Sequence, residues 1–98
     1  MILSEDDIKS VISFYFRDKP VNKIWLFGSY ARGEAVDTSD IDILVDIEKD
    51  ANLGMSYFSW NDELTELFNK KVDVVSKGWE NKYIQPYIDK DKMVVYEK

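Results

Sequence analysis

Hydrophobic and polar residues follow a helical spacing in two long stretches of this chain. Ser4 and the three acidic residues after it are typical of a helix N-cap, and the apolar positions that follow predict an amphipathic helix over 5–17. The same spacing predicts a second helix at about 55–69, and shorter helical turns are expected at 29–34 and at 80–91. The apolar stripes consist of Ile8, Val11, Ile12, Tyr15 and Phe16 in the first helix, and of Leu53, Tyr57, Trp60, Leu64, Leu67 and Phe68 in the second.

Four short apolar segments between the helices predict strands. Residues 21–28 are expected to be buried on both faces, and residues 41–48, 70–76 and 93–97 to form three further strands. In the second strand Ile41, Ile43, Val45 and Ile47 point to one face, and Asp40, Asp42, Leu44 and Asp46 point to the other. An α-β-α-β-α-β-α-β order with short connections favours an α/β or α+β fold, with helices layered on one sheet, in one domain over 1–98.

The composition narrows the classes of chemistry that the chain can perform. It has 19 acidic and 13 basic residues, a net charge of -6, which disfavours direct binding of nucleic acid. It has no histidine, so Ser-His-Asp triads and histidine-bound zinc are excluded, and any metal is expected to be a hard, oxygen-bound cation such as Mg²⁺. Because no signal peptide and no apolar run of ~20 residues is found, we expect a cytoplasmic protein without membrane association.

Three aspartates are candidate metal ligands. Asp40 and Asp42 project side by side from the second strand, with Cα atoms roughly 6.6 Å apart. Such a pair is either fully solvated or bridged by a divalent cation, and the residue types alone leave both interpretations open. Asp73 points away from Val72 and Val74, so it joins the pair if the third strand lies beside the second. Three carboxylates on one face can hold two metal ions, and one of them can take a proton from an attacking hydroxyl.

The Gly28-Ser29 step is a candidate phosphate-binding turn. Glycine lets the backbone approach a ligand closely at a strand end, and Ser29 would open a short helix with free N–H groups. The alternative is an ordinary turn with a helix cap, which requires no ligand. Arg32 could pair with either a carboxylate or a phosphate, and the sequence does not choose between them.

The string "GSYARGEAVDTSDIDILV" resembles the minimal nucleotidyltransferase (MNT) branch of the DNA polymerase β-like nucleotidyltransferase superfamily. The shared pattern is Gly-Ser-x-Ala-Arg-Gly, followed by Ser-Asp-x-Asp, two hydrophobic residues and Val. The resemblance implies a polymerase β palm-like fold, a short mixed four-stranded sheet flanked by helices. It also implies that the site consists of Gly28, Ser29 and Arg32 for the nucleoside triphosphate, and of Asp40, Asp42 and Asp73 as the catalytic carboxylates and Mg²⁺ ligands, in a two-metal arrangement.

The resemblance implies a function as well. Members of this branch pair with a helical HEPN-domain toxin and act as its antitoxin, some of them by transferring AMP from ATP to a tyrosine of the toxin. The expected activity is therefore Mg²⁺-dependent nucleotidyl transfer to a hydroxyl of a protein partner, in a homo- or hetero-oligomer. Two alternatives remain: an antitoxin that blocks its HEPN partner sterically without catalysis, and a nucleotidyltransferase that modifies a small molecule.

Overall fold

Helices and strands alternate along the chain as the spacing predicts. The computed structural model describes residues 2–51, 56–77, 82–83 and 85–98. The elements are α1 Glu5–Phe16, β1 Val21–Phe27, α2 Ser29–Arg32, β2 Ile41–Ile47, α3 Ser56–Phe68, β3 Val72–Ser76, α4 Gln85–Asp91 and β4 Met93–Glu97. Predictions made for Leu53 and for residues 80, 81 and 84 lie outside the described residues. The last helix begins at Gln85, with Pro86 in its first turn, where a missing N–H is tolerated.

The four strands form one mixed sheet, as the resemblance implies. Their order is β3-β2-β1-β4. β1 runs antiparallel to both β2 and β4, whereas β3 runs parallel to β2. A parallel neighbour requires a crossover connection, and α3 supplies it between β2 and β3.

Helices α1 and α3 cover one face of the sheet and enclose the main core. α1 begins with a capping box, in which the Asp7 N–H donates to Ser4 Oγ (3.1 Å) and the Ser4 N–H donates to Asp7 Oδ2 (3.3 Å). Phe16 and Trp60 meet edge to face between the helices, with ring centroids 5.2 Å apart. The most deeply buried members of this core are Ile8, Ile12, Phe16, Val21, Ile24, Leu26, Ile41, Ile43, Val45, Trp60, Leu64 and Val72.

The opposite face of the sheet carries a smaller apolar cluster. Trp25 and Leu44 are paired across β1 and β2, and Ile88 of α4 packs onto them. The alternation predicted for β2 is therefore correct, and Leu44 is the apolar residue on the face that also carries the aspartates. α4 covers part of this face.

One residue of the predicted α3 stripe is not in the core. The side chain of Leu67 is 51% exposed, whereas Leu64 is fully buried. Leu67 follows Glu63 by four residues, so the two share a flank of the helix that faces solvent. The length and hydropathy that a membrane-spanning helix needs are not reached by any helix in the described ranges.

Candidate active site

Strand directions bring the motif residues to one end of the sheet. β1 is antiparallel to β2, so its last residue, Phe27, lies opposite Asp42, the second residue of β2. β3 is parallel to β2 and sets Asp73 directly opposite Asp42. Paired residues on neighbouring strands point to the same side, so the two carboxylates share one face, and Asp42 is the one that lies next to the Gly28–Ser29 turn. Asp40 immediately precedes β2. Asp73 lies on the same face of the sheet as Asp42, as the alternation of β3 predicts. Its chemical role stays a prediction.

Gly28 is the point at which the turn meets the carboxylates. Its backbone angles, φ 79° and ψ -157°, belong to a region that is essentially restricted to glycine. A Cβ atom at this position would lie 2.5 Å from Asp42 Oδ2, closer than Cβ atoms in proteins approach their neighbours. The turn therefore places bare backbone against the Asp42 carboxylate, and only glycine allows this contact.

The environment of Asp42 disfavours its negative charge. Partial burial, the negative charges of Asp73 and Asp40, and a hydrogen bond with Asp73 together raise the pKa of Asp42 to about 6. Lys71 acts in the opposite direction but does not compensate. A carboxyl group with a pKa near neutrality can accept or release a proton under ordinary conditions, which is the property that acid–base chemistry requires.

Side chains of α3 hold the strand that carries Asp73. The Val72 N–H donates to Thr65 Oγ1 (3.0 Å), and the Val74 N–H donates to Asn61 Oδ1 (3.0 Å). These backbone groups flank Asp73 on the outer edge of the sheet, where no further strand of the described residues pairs with β3. Thr65 and Asn61 lie outside the motif and outside the apolar stripe of the helix. Their spacing of four residues on one helix is the signal that could have drawn attention to them.

Arg32 is paired with carboxylates in this structure. Its Nη1 donates to Asp91 Oδ2 (2.7 Å), and its Nε donates to Glu34 Oε2 (3.2 Å). Both hydrogen bonds raise the pKa of Arg32, and the hydrogen bond with Asp91 has the larger effect. The structure thus supplies the carboxylate partners that the sequence left open, and a direct contact of Arg32 with a nucleotide stays a prediction. Asp91 is 59 residues away in sequence, and no local pattern links it to Arg32.

The acidic side chains fit a magnesium ion by their chemistry. Within the described ranges, no three carboxylates lie close enough together to hold a metal ion. Like charges repel, and this repulsion contributes to the raised pKa of Asp42. A divalent cation relieves such repulsion, and carboxylate oxygens are ligands that Mg²⁺ prefers. Asp40, Asp42 and Asp73 are therefore suitable ligands by their chemistry, but the structure does not gather all three within reach of one ion in the described ranges, so their joint binding of Mg²⁺ and the number of ions stay predictions.

A separate cleft lies at the other end of the sheet. It has a volume of about 360 Å³ and is lined by Ile47, Tyr57, Phe58 and Ser76. Ile47 and Ser76 are the last residues of β2 and β3, whereas the aspartates lie at the beginning of both strands. Among the residues that the structure describes, this lining carries no carboxylate, so the cleft is a poorer candidate for the chemistry than the Asp42 end.

Comparison with known proteins agrees with the motif. Residues 9–98 match the family described as polymerase beta, nucleotidyltransferase. A Methanocaldococcus jannaschii protein, MJ0128, named as a candidate protein adenylyltransferase, is 42% identical over 76 residues, which cover 76% of each chain. The protein adenylyltransferase MntA of Thermococcus cleftensis is 35% identical over 81 residues, 79% of this chain and 81% of its own length.

A solved structure shares the fold. A chain from the complex of a tri-AMPylated Shewanella oneidensis HEPN toxin with an MNT antitoxin superposes with a TM-score of 0.72, covering 96% of this chain and 73% of that chain. The sequence identity is 20%, so the likeness establishes the fold alone. Together with the family match over residues 9–98 and the relatives above 30% identity, these findings lead to one conclusion. The chain is a nucleotidyltransferase and belongs to the polymerase β nucleotidyltransferase family.

Proposed function

We propose that this protein transfers AMP from ATP to a hydroxyl group of a protein partner. The observation that carries the proposal is the register of the sheet, which sets Asp73 opposite Asp42 while Gly28 brings the motif turn against the Asp42 carboxylate. Phosphoryl transfer requires acidic side chains that can hold a metal ion. It also requires a backbone turn that can approach the phosphates closely.

Each residue of the site has a distinct role in the proposed reaction. Gly28 and Ser29 take the triphosphate through backbone N–H groups and the serine hydroxyl, and Arg32 supports this turn while its guanidinium is held by Asp91 and Glu34. Asp40, Asp42 and Asp73 would hold Mg²⁺, which neutralises phosphate charge when bound. Asp73 takes the proton of the acceptor hydroxyl. The acceptor oxygen then forms a bond to the α-phosphorus, the bond to the leaving phosphate breaks, and pyrophosphate departs with the electron pair.

We infer that the acceptor is a tyrosine of a HEPN-domain toxin, and that the modification makes this chain an antitoxin. The support is the MntA relative, named as a protein adenylyltransferase, and the fold neighbour found with a tri-AMPylated HEPN toxin. The net charge of -6 suits a partner whose own active surface is positive enough to bind RNA.

Transfer of labelled AMP tests the proposed function directly. The protein is incubated with Mg²⁺, ATP labelled at the α-phosphate and a candidate HEPN partner, and the partner is expected to become labelled. Asp42→Asn should lower the rate by on the order of 100-fold or more, because it removes a charged carboxylate that would hold Mg²⁺ at the reacting phosphate. Asp46→Asn is the matched control, since Asp46 lies on the same face of β2 but pairs with Lys23, farther along the strand.

Labelling that survives Asp42→Asn would defeat the assignment of the metal site. Labelling that requires neither Mg²⁺ nor another divalent cation would show that the reaction does not depend on a metal ion. Mass spectrometry of the labelled partner identifies the modified side chain, and a site other than tyrosine would correct the acceptor while leaving the transferase activity in place.

A second function is supported by exposed apolar side chains on the two long helices. Phe14 of α1 and Phe58 and Leu67 of α3 are each more than half exposed. Exposed apolar side chains gain free energy when a partner covers them, so the chain could neutralise its toxin by occlusion alone. In that case an Asp40→Asn/Asp42→Asn double variant still protects cells from the toxin, whereas the transferase predicts loss of protection with partner binding intact.

A further inference from the structure

The motif turn is too short to be stable without help from the rest of the protein. α2 comprises four residues and ends at Gly33, which adopts a left-handed conformation. Backbone hydrogen bonds close the turn, from the Arg32 N–H to Gly28 O (3.1 Å) and from the Glu34 N–H to Ser29 O (2.9 Å). A single helical turn is unfavourable by itself, so contacts with other elements must hold it in place.

The ion pair between Arg32 and Asp91 is the best-shielded polar contact of this turn. The side chain of Asp91 is 11% exposed, whereas those of Arg32 and Glu34 are 41% and 66% exposed. Exposed pairs are screened by water and contribute little, while a carboxylate with little access to water depends on its partner. Asp91 is therefore expected to fix the guanidinium more firmly than Glu34 does.

Asp91 also belongs to an element that is anchored on the sheet. It is the last residue of α4, and the helix is held by Ile88, which is buried against Trp25 and Leu44. These residues lie on the face of the sheet that carries Asp42, and the Lys92 N–H closes the helix end by donating to Ile88 O (2.8 Å). The Arg32–Asp91 pair thus connects the motif turn to a helix whose position the sheet determines.

We propose that Asp91 is a positioning residue of the nucleotide site: through Arg32, it holds the Gly28–Ser29 turn against the Asp42 carboxylate. The inference rests on the proposed function, because it concerns the same site. Asp91 does not touch the reacting groups in this scheme. Its loss therefore weakens nucleotide binding in the ground state and in the transition state alike, and raises KM more than it lowers kcat.

Nucleotide affinity of the full chain is the primary measurement. Calorimetric titration with Mg²⁺ and a non-hydrolysable ATP analogue is expected to give a Kd about 10-fold higher for Asp91→Asn, at the lower end of the effects of groups that orient a binding residue. Asp89→Asn is the matched control, because Asp89 lies on the same helix and pairs with Lys92 at 3.1 Å but is 54% exposed. Its Kd should stay within about twofold of the wild type.

Two further variants distinguish positioning from general loss of stability. Asp91→Glu keeps the charge and should restore most of the affinity. In an Arg32→Gln background, Asp91→Asn should have no additional effect on Kd, because residues that act through one another are not additive. Steady-state labelling then shows whether KM rises while kcat changes by less than about twofold.

The outcomes separate the inference from the function on which it rests. If the wild type binds no nucleotide, both are overturned. If the wild type binds and Asp91→Asn matches Asp89→Asn, or if the effects of Asp91 and Arg32 are additive, the positioning role is overturned and the transferase stands. If Asp91→Asn does not fold, Arg32→Lys tests the same link from the other partner, and an affinity equal to that of the wild type would overturn it.

Discussion

Gly28 meets two constraints at once, a backbone conformation and a close contact. Replacement by alanine introduces strain at φ 79° and a Cβ 2.5 Å from Asp42 Oδ2. We expect Gly28→Ala to lower the free energy of unfolding by about 1–3 kcal/mol. Urea denaturation measures this change.

Gly33→Ala is the control for Gly28→Ala. Gly33 also has a positive φ of 73°, but a Cβ there would meet nothing within 4 Å. The expected cost is about 1 kcal/mol, from backbone strain alone. An equal decrease in the free energy of unfolding for the two variants would show that the contact between the added Cβ and Asp42 costs no stability.

The pKa of Asp42, raised to about 6, predicts how stability depends on pH. The folded protein binds the Asp42 proton more tightly than the unfolded chain does. The stabilisation from this proton is complete below the ordinary pKa of 3.8 and is lost as pH rises through about 6. Asp42→Asn removes this dependence, so at pH 8 it should be more stable than the wild type by on the order of 1 kcal/mol, after allowance for solvent screening.

Urea denaturation of the wild type and Asp42→Asn at pH 4 and at pH 8, without divalent cations, tests the direction of this pH dependence. The advantage of Asp42→Asn should be present at pH 8 and should vanish or reverse at pH 4. An advantage that is the same at both values would mean that the charge on Asp42 is not disfavoured in the folded protein.

In helix α3, residues that share one apolar spacing lie in two different environments, the core and the solvent-exposed surface. Leu64 is fully buried in the main core, and Leu67 is 51% exposed three residues later. Leu64→Ala should lower the free energy of unfolding by about 2–5 kcal/mol, because it leaves a cavity among packed side chains. Leu67→Ala should change it by no more than about 0.5 kcal/mol.

The same denaturation experiment compares the two leucine variants. Both remove the same atoms from the same helix, so differences in helix propensity cancel. A large loss for Leu67→Ala would indicate that this side chain is covered in solution, for example by another protein chain.

The parallel pairing of β2 and β3 is an element-level feature with a chemical consequence. α3 crosses over between the two strands, and its side chains then hold the outer edge of β3 through Thr65 and Asn61. Parallel register makes both strands begin at the same end of the sheet. Asp42 and Asp73, each the second residue of its strand, become direct neighbours for this reason.

Binding of Mg²⁺ and ATP should stabilise the whole molecule under the proposed function. A ligand that binds only the folded state adds about 2.7 kcal/mol at a concentration one hundred times its Kd. For a domain of this size, the melting temperature should rise by roughly 10 °C or more. Scanning calorimetry with both ligands present, and with each alone, measures the effect.

Matched variants identify the site responsible for this stabilisation. An Asp40→Asn/Asp42→Asn double variant should lose the rise in melting temperature, whereas Leu67→Ala should retain it. A rise that persists in the double variant would place the nucleotide at another surface.

Much of this protein could be predicted from local patterns. Backbone geometry imposes a period of about 3.6 residues on helices and of two on strands, so the spacing of apolar residues identified α1, α3 and the face of β2 that carries Asp40, Asp42 and Leu44. Glycine at a strand end and paired aspartates are likewise local features, and the motif they form led to the correct family.

Other features arise only when distant segments pack together. The pairing of Arg32 with Asp91 spans 59 residues, and the exposure of Leu67 depends on where the neighbouring helix lies. The pKa of Asp42 reflects burial and the charge of Asp73 on another strand. Local spacing carries no information on which charges will meet or which flank of a helix will be covered, because both depend on the relative placement of whole elements.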